Sequence, residues 1–318
     1  MDDGLVAASS RDDIEKLMSY LASSFETKSG ILEYYLGLEI DQRSDGSIHV
    51  SQKGYIKRIL QKFNLSGSNP VSTPMDMNRS MSSASYPEFS EDATNIPYRE
   101  AVGSLIYLAQ ATRPDITYAV SVTSKYLEKP KIFHWNAVKR IFKYLHGTED
   151  YGIIFESNND NKFFGFSDAD YAGDVDTRRS TSGYIFQLGS NPISWCSKQQ
   201  STVALSTTEA EYMAACHGLK ELIWLSRLVK ELFPHLTEIP KLYVDNQSAI
   251  RLIKNPELHK RSKHIDIKYH FIREKYLEQF FECEYIPTDS QLADIFTKPL
   301  NKQKFQLLRN LMNIVSFK

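Results

Sequence analysis

The stretch FFGFSDADYAG, residues 163–173, decides how the chain is read. Aromatic residues alternate through it in the manner of a strand, and it closes on two acidic residues separated by a single alanine. On a regular strand Asp168 shares a face with Phe164 and Phe166, because side chains two residues apart point the same way. A carboxylate at the buried end of a strand is costly unless it is paired, hydrogen-bonded or bound to metal. The remainder of the chain must therefore supply partners.

Downstream, SGYIFQLG and NPISWCSK continue as strands at hairpin spacing, and a long helix is predicted from about Ser206 to Phe233. KLYVD then reads as a strand, NQSAIRLIKN and HIDIKYHFIREKYLE as helices, FFECEYIPT as a strand and SQLADIFTKPL as a final helix. Three hairpin-linked strands followed by alternating helices and strands predict an α/β class, with a mixed sheet flanked by helices. Asp245 ends the strand KLYVD, where ligands commonly sit in open α/β sheets. In the long helix Ala214, Gly218, Leu222, Leu225, Val229 and Leu232 form an apolar stripe, and Glu211 falls on it while Glu209 points away. Asp294 lies among Leu292, Ile295 and Phe296 in the last helix. Carboxylates converging on one sheet end repel each other unless cations hold them, and Mg²⁺ favours oxygen ligands. Two such ions can activate a water and stabilise a leaving oxygen in phosphodiester cleavage. Asp170, Asp174 and Asp176 fit the plainer reading of solvated acids.

Upstream, residues 98–148 predict three successive helices, the second opening on a proline and the third closing on Gly147. Residues 65–97, rich in Ser, Pro, Asn and Asp, read as a long connecting segment. Before it, DIEKLMSYLASSF and GYIKRILQKFNL carry helical patterns, and LEYYLGLEIDQRSDGSIHVSQ reads as a hairpin. With 42% hydrophobic and 12% aromatic residues in 318, the chain can bury cores for one large or two ordinary domains. No run of about 18 apolar residues occurs, and the first residues lack the pattern of a secretory signal, so an intracellular, unsecreted setting away from membranes is expected. Cys196, Cys216 and Cys283 form no C-x-x-C pair, which predicts reduced thiols and no thiolate zinc site. A net charge of −1 leaves any nucleic-acid contact to local patches.

FGFSDADYAGD, RRSTSGYIF, ISWCSKQQSTVALSTTEAEYMAA, LYVDNQSAI, HKRSKHIDIKYHFIRE and QLADIFTKPL together resemble the ribonuclease H domain of copia-type LTR-retrotransposon polyproteins. Upstream, YYLGLEI, GSIHVSQKGYIKRIL, the STPMD segment and YREAVGSLIYLAQATRPDITYAV are similar to the part of the same Pol polyprotein that runs from the late reverse-transcriptase palm into thumb and connection. The resemblance covers nearly the whole chain. It implies a ribonuclease H-like mixed five-stranded sheet flanked by helices over residues 151–302, with a C-terminal helical tail at 303–318. Ahead of these it implies a palm/thumb remnant at 1–64, a linker at 65–97 and a helical connection at 98–150. It also implies that Asp168, Glu211, Asp245 and Asp294 are catalytic metal-binding carboxylates holding two Mg²⁺ ions, with Mn²⁺ as an alternative.

MDDGLV resembles the YxDD turn of reverse transcriptases, Asp2 and Asp3 matching its paired metal-binding aspartates. Polymerase activity is expected to be absent, because the fingers and first palm aspartate of that family do not precede this turn; a partner chain would have to supply them. Residues 1–65 are accordingly expected to be loosely held. Many ribonucleases H carry a mobile histidine before the last acidic residue, and the segment YIPTDSQLAD has none.

The substrate implied is an RNA/DNA hybrid, read through shape, phosphates and 2′-hydroxyls. No small-molecule cofactor is expected, and other element-encoded Pol products are the protein partners the resemblance suggests. The setting it implies is the cytoplasm, in virus-like particles, or the nucleus. Seven basic residues against three acidic ones between Lys254 and Lys275 suit a phosphate-tracking surface, with Lys260, Arg261, Lys263, His264 and Arg273 as contacts. Arg178 and Arg179 are candidates beside the first catalytic strand. His264 and His270 are six residues apart and do not share a helix face, which speaks against zinc. Trp195 and Trp224 read as core aromatics.

Overall fold

The computed structural model describes residues 4–8, 10–77, 81–82, 95–157, 162–255 and 266–317, with 266–269 by backbone alone. Two five-stranded sheets share one body. The strand bearing Asp168, β5 (Phe163–Asp170), sits mid-sheet between β6 (Thr181–Leu188), antiparallel to it, and β8 (Lys241–Val244), parallel to it. β7 (Asn191–Gln199) and β9 (Glu282–Tyr285) complete the order β7-β6-β5-β8-β9. This is the mixed five-stranded sheet flanked by helices that the sequence calls for.

One face of that sheet carries the long helix α6 (Thr207–Leu232) with α7 (Gln247–Lys254) and α8 (Asp266–Leu277). Ser206 caps α6 by accepting from Glu209 N at 3.1 Å, and Glu209 Oε2 accepts in return from Leu205 N at 2.8 Å, so orphan amide donors are satisfied from both sides. Ala215, Leu219 and Leu222 then bury against Tyr184, Phe186 and Leu242 of the sheet. The other face, bearing Phe166 and Ile185, is covered by the helical middle of the chain: α3 (Tyr98–Ala111), α4 (Thr117–Ser124) and α5 (Ile132–His146). Trp195 on β7 is half-buried there and donates through Nε1 to Ala109 O at 2.7 Å.

The second sheet, antiparallel throughout, has the order β1 (Tyr34–Tyr35), β2 (Leu38–Gln42), β3 (Ile48–Ser51), β4 (Tyr151–Phe155), β10 (Ile314–Ser316). β4 and β10 are strands where the sequence reading had none and a helical tail. Each gains its ladder only from partners far away in the chain, and no hairpin turn announces the pairing. The helix α9 (Lys302–Leu311) precedes β10. Within residues 1–65, expected to be loosely held, the part from Ser47 onward is anchored: β3 pairs with β4, and Ile56, Ile59 and Leu60 of α2 (Lys53–Lys62) are buried. Among the described residues 4–46, by contrast, no side chain is buried, α1 (Arg11–Ala22) included. The segment around Asp294 is a 3-10 turn, Leu292–Phe296, in place of the expected α-helix; its amides bond three residues back, and Pro299 follows closely.

Helices and C-terminus are joined by a buried charge network. Arg113, fully buried, donates from Nε and Nη2 to the two carboxylate oxygens of Asp115 at 2.9 and 2.8 Å and from Nη1 to Thr148 O at 2.9 Å. Tyr144 Oη donates to Asp115 at 2.6 Å, and Arg309 of α9 reaches Tyr144 at 3.3 Å. Against its burial, Asp115 is held below the ordinary carboxylate range by Arg113. Replacing Asp115 by Ala leaves Arg113 buried and unpaired, and we expect a loss of about 3–5 kcal/mol in urea unfolding of the full chain.

Candidate metal centre

Three elements bring three carboxylates to one point. Phe166 of β5 pairs with Tyr243 of β8, so Asp245, two residues on, comes level with Asp168 at the same sheet end. Glu211 enters from the first turns of α6 and accepts a hydrogen bond from the backbone N–H of Ala169. One oxygen from each of Asp168, Glu211 and Asp245 lies within 4.8 Å of the others. Asp168 is 2% exposed and Glu211 7%, and Glu211 Oε2 is buried without a hydrogen-bond partner.

The 3-10 turn packs over this cluster because Gly183, opposite Asp168 on β6, has no side chain; a Cβ there would stand 2.7 Å from Phe296 Cβ and 2.8 Å from Thr297 Cγ2. Gln291, fully buried, ties the turn to β5 by donating to Ser167 O at 3.0 Å. Thr297 Oγ1 donates to Asp168 Oδ2. Asp294 is fully buried but stands outside the trio: Lys298 Nζ is 2.6 Å from its Oδ1 and Lys304 Nζ 2.6 Å from its Oδ2. Lys298 also lies 3.8 Å from Asp168 Oδ2, so one ammonium spans both carboxylates.

Crowding shows in the proton affinities. Burial pushes the Asp168 carboxyl up to about 7, with the neighbouring Asp294 and Asp245 charges adding to the rise and Lys298 and Thr297 opposing it. Burial and the charges of Asp168 and Asp245 hold Glu211 well above its ordinary value. Three clustered carboxylates with an unpartnered buried oxygen need a cation or protons, and a hard divalent ion suits an all-oxygen donor set.

The other expected contacts separate into three groups. Asp2, Asp3, Lys260, Arg261, Lys263 and His264 lie outside the described residues. Arg178 and Arg179 are exposed in the turn after β5. Arg273 is 5% exposed, and its Nε donates to Leu252 O at 2.8 Å, tying α8 to α7. Trp224 is corrected, standing 58% exposed on α6. Asp174 is no solvated acid; it accepts from Gln199 Nε2 at 2.6 Å and lies 3.1 Å from Lys125 Nζ. Thr297, Lys298 and Lys304 were missed; for Lys298 the four-residue step from Asp294 was the available signal. Cys196, Cys216 and Cys283 are not joined in disulfides. Among the described residues no helix is long and apolar enough to cross a membrane.

The fold and site define a mixed-sheet α/β unit with a buried carboxylate cluster fit for divalent cations. Residues 1–77 match the family of reverse transcriptases (RNA-dependent DNA polymerases). The chain is 42% identical over 99% of its length to the retrovirus-related Pol polyprotein from transposon TNT 1-94 of Nicotiana tabacum, of which it spans 24%. It is 30% identical over 70% of its length to the Ty5-1 transposon protein YCL074W of Saccharomyces cerevisiae, covering 72% of that protein. Among solved structures, a ribonuclease H1 isolated from compost, LC11, aligns at 17% identity with a TM-score of 0.33, over 43% of this chain and 93% of that one. The chain belongs to the copia-type retrovirus-related Pol polyproteins of transposons. It spans about a quarter of the length of the curated polyproteins it matches first.

A pH dependence follows from Asp168. Unfolded, its carboxyl titrates near the ordinary 3.8, and folded near about 7, so the folded chain binds the proton more tightly. The stability it contributes is full below the lower value and is lost as pH rises through the higher one. In chelator, Asp168→Asn should melt above the parent at about pH 8, with the gap shrinking toward about pH 4. Added Mg²⁺ should raise the melting temperature of the parent and leave the variant nearly unmoved, as scanning calorimetry would record.

Proposed function

We propose that this chain acts as a ribonuclease H, hydrolysing the RNA strand of RNA/DNA hybrids with two Mg²⁺ ions held by Asp168, Glu211 and Asp245. The observation that carries the reading is the convergence of three carboxylate oxygens within 4.8 Å, two of the residues buried and one oxygen unpartnered. When bound, such ions supply an activated water and charge stabilisation at the leaving oxygen. Mn²⁺ is the alternative ion.

The protein's own part is to hold the oxygens in place. Ala169 N–H orients Glu211, Thr297 orients Asp168, and the parallel ladder of β5 and β8 sets Asp245 level with Asp168. Asp294 is assigned to the same site as a fourth carboxylate, its two oxygens paired with Lys298 and Lys304. No histidine lies between Tyr285 and Asp294, so no imidazole from that segment moves a proton. Recognition of the hybrid is through phosphates and 2′-hydroxyls, with the exposed Arg178 and Arg179 of the turn after β5 as contacts. Lys260, Arg261, Lys263 and His264 belong to the same proposal as phosphate contacts. Other products of the same polyprotein are the proposed protein partners.

The test is cleavage of an end-labelled RNA/DNA hybrid by the full chain in Mg²⁺. We expect RNA-strand products whose rate falls by more than about 100-fold in Asp245→Asn, exceeding the usual effect of losing a residue that merely supports a metal ligand. A folded chain that binds the hybrid and leaves it intact would favour a binding remnant.

A further inference from the structure

The turn between β5 and β6 leaves the catalytic strand two residues after Asp168, roughly 7 Å along it. Asp170 and Ser180 hold its start by accepting from Gly173 N and Ala172 N, and Asp174 holds its tip. Asp174 Oδ1 accepts from Thr177 N at 2.8 Å and from Asp176 N at 3.2 Å, closing the turn from within. Its backbone is tied to the same arginine pair: Arg178 N donates to Asp174 O at 2.8 Å, and Asp174 N to Arg179 O at 3.3 Å. Arg178 sits in the left-handed region at φ 55°, uncommon for arginine, so the turn needs ties from elsewhere to persist.

Those ties come from two other parts of the fold. Gln199 Nε2 at the end of β7 donates to Asp174 Oδ2 at 2.6 Å, and Lys125 Nζ, just past α4 in the helical middle, reaches the same oxygen at 3.1 Å. A second link runs alongside, with Ser82 Oγ donating to Asp176 Oδ1 at 2.5 Å. Asp174 is 9% exposed at its side chain and Lys125 22%, so water competes weakly for this pair. Arg178 and Arg179 are left exposed to solvent, with their backbone fixed in the turn that follows the Asp168 strand.

We propose that Asp174 is a positioning residue that sets the Arg178–Arg179 turn against the phosphate backbone of the substrate, and that Lys125 makes the helical middle part of substrate binding. The proposal rests on the ribonuclease reading for the identity of the substrate. Its test, however, can be read without cleavage.

Affinity of the full chain for a fluorescent RNA/DNA hybrid is measured in EDTA across a range of salt. Arg178→Gln with Arg179→Gln should weaken binding about 10-fold and make the log–log salt slope shallower by about 1–2, the mark of lost phosphate contacts. Asp174→Ala should shift affinity and slope in the same direction, and Lys125→Met should do so to a smaller extent. Where cleavage is measurable, the Asp174 effect should fall on KM, with kcat changed less than about twofold. A wild-type salt slope in Asp174→Ala, or a loss confined to kcat, would overturn the proposal. If Asp174→Ala does not fold, Gln199→Met and Lys125→Met each remove one tie and are read by the same slopes. A chain that cleaves no hybrid in any divalent ion defeats the ribonuclease reading, and the slopes in EDTA still decide the role of Asp174.

Discussion

The structure is organised around an electrostatic conflict. Asp168, Glu211 and Asp245 bring one carboxylate oxygen each within 4.8 Å of the others at the end of a sheet, with Asp168 and Glu211 buried away from screening water. Such an arrangement opposes folding at neutral pH unless protons or cations enter it. The neighbouring groups are arranged as partial relief: Thr297 donates to Asp168, Ala169 N–H to Glu211, and Lys298 spans Asp168 and Asp294. None of these removes the conflict, since Asp168 and Glu211 both keep raised proton affinities. The residual demand for positive charge is what makes the site useful.

Much of this was legible along the chain. Alternation placed Asp168 on the aromatic face, the apolar stripe of α6 placed Glu211 inward, and strand-end position singled out Asp245. Each is a local periodicity that the tertiary structure preserves. Asp294 was legible as buried among apolar neighbours, but its pairing with Lys298 and Lys304 depends on a 3-10 turn in place of an α-helix. Propensity alone does not choose between those two geometries over five residues.

What stayed hidden involves long sequence separations. Asp174 carries the same composition signal as Asp170 and Asp176, and only the fold brings Lys125 and Gln199 to it. β4 and β10 read as nothing in particular because their partners lie about one hundred residues or more away along the chain. Arg273 differs in kind. A basic run on a predicted helix suggests a charged surface, whereas the backbone carbonyl of Leu252 offered that guanidinium a buried acceptor.

The two sheets bear on how the nuclease unit is delimited. Phe166 and Ile185 belong to the core that the helical middle shares with the 3-10 turn Leu292–Phe296, and that turn packs directly on β5 and β6. Removing those helices would return large apolar side chains to water at about 1.5–3 kcal/mol each. It would also strip Ala109 O from Trp195, break the Arg113–Asp115–Tyr144–Arg309 network that holds α9, and release Lys125 from Asp174. The 3-10 turn bearing Asp294 is wedged between β6 and α9, so loosening α9 loosens the fourth carboxylate with it. The helical middle is therefore a structural layer behind the carboxylate site, reaching the sheet through β7 and the 3-10 turn that packs on the strand carrying Asp168.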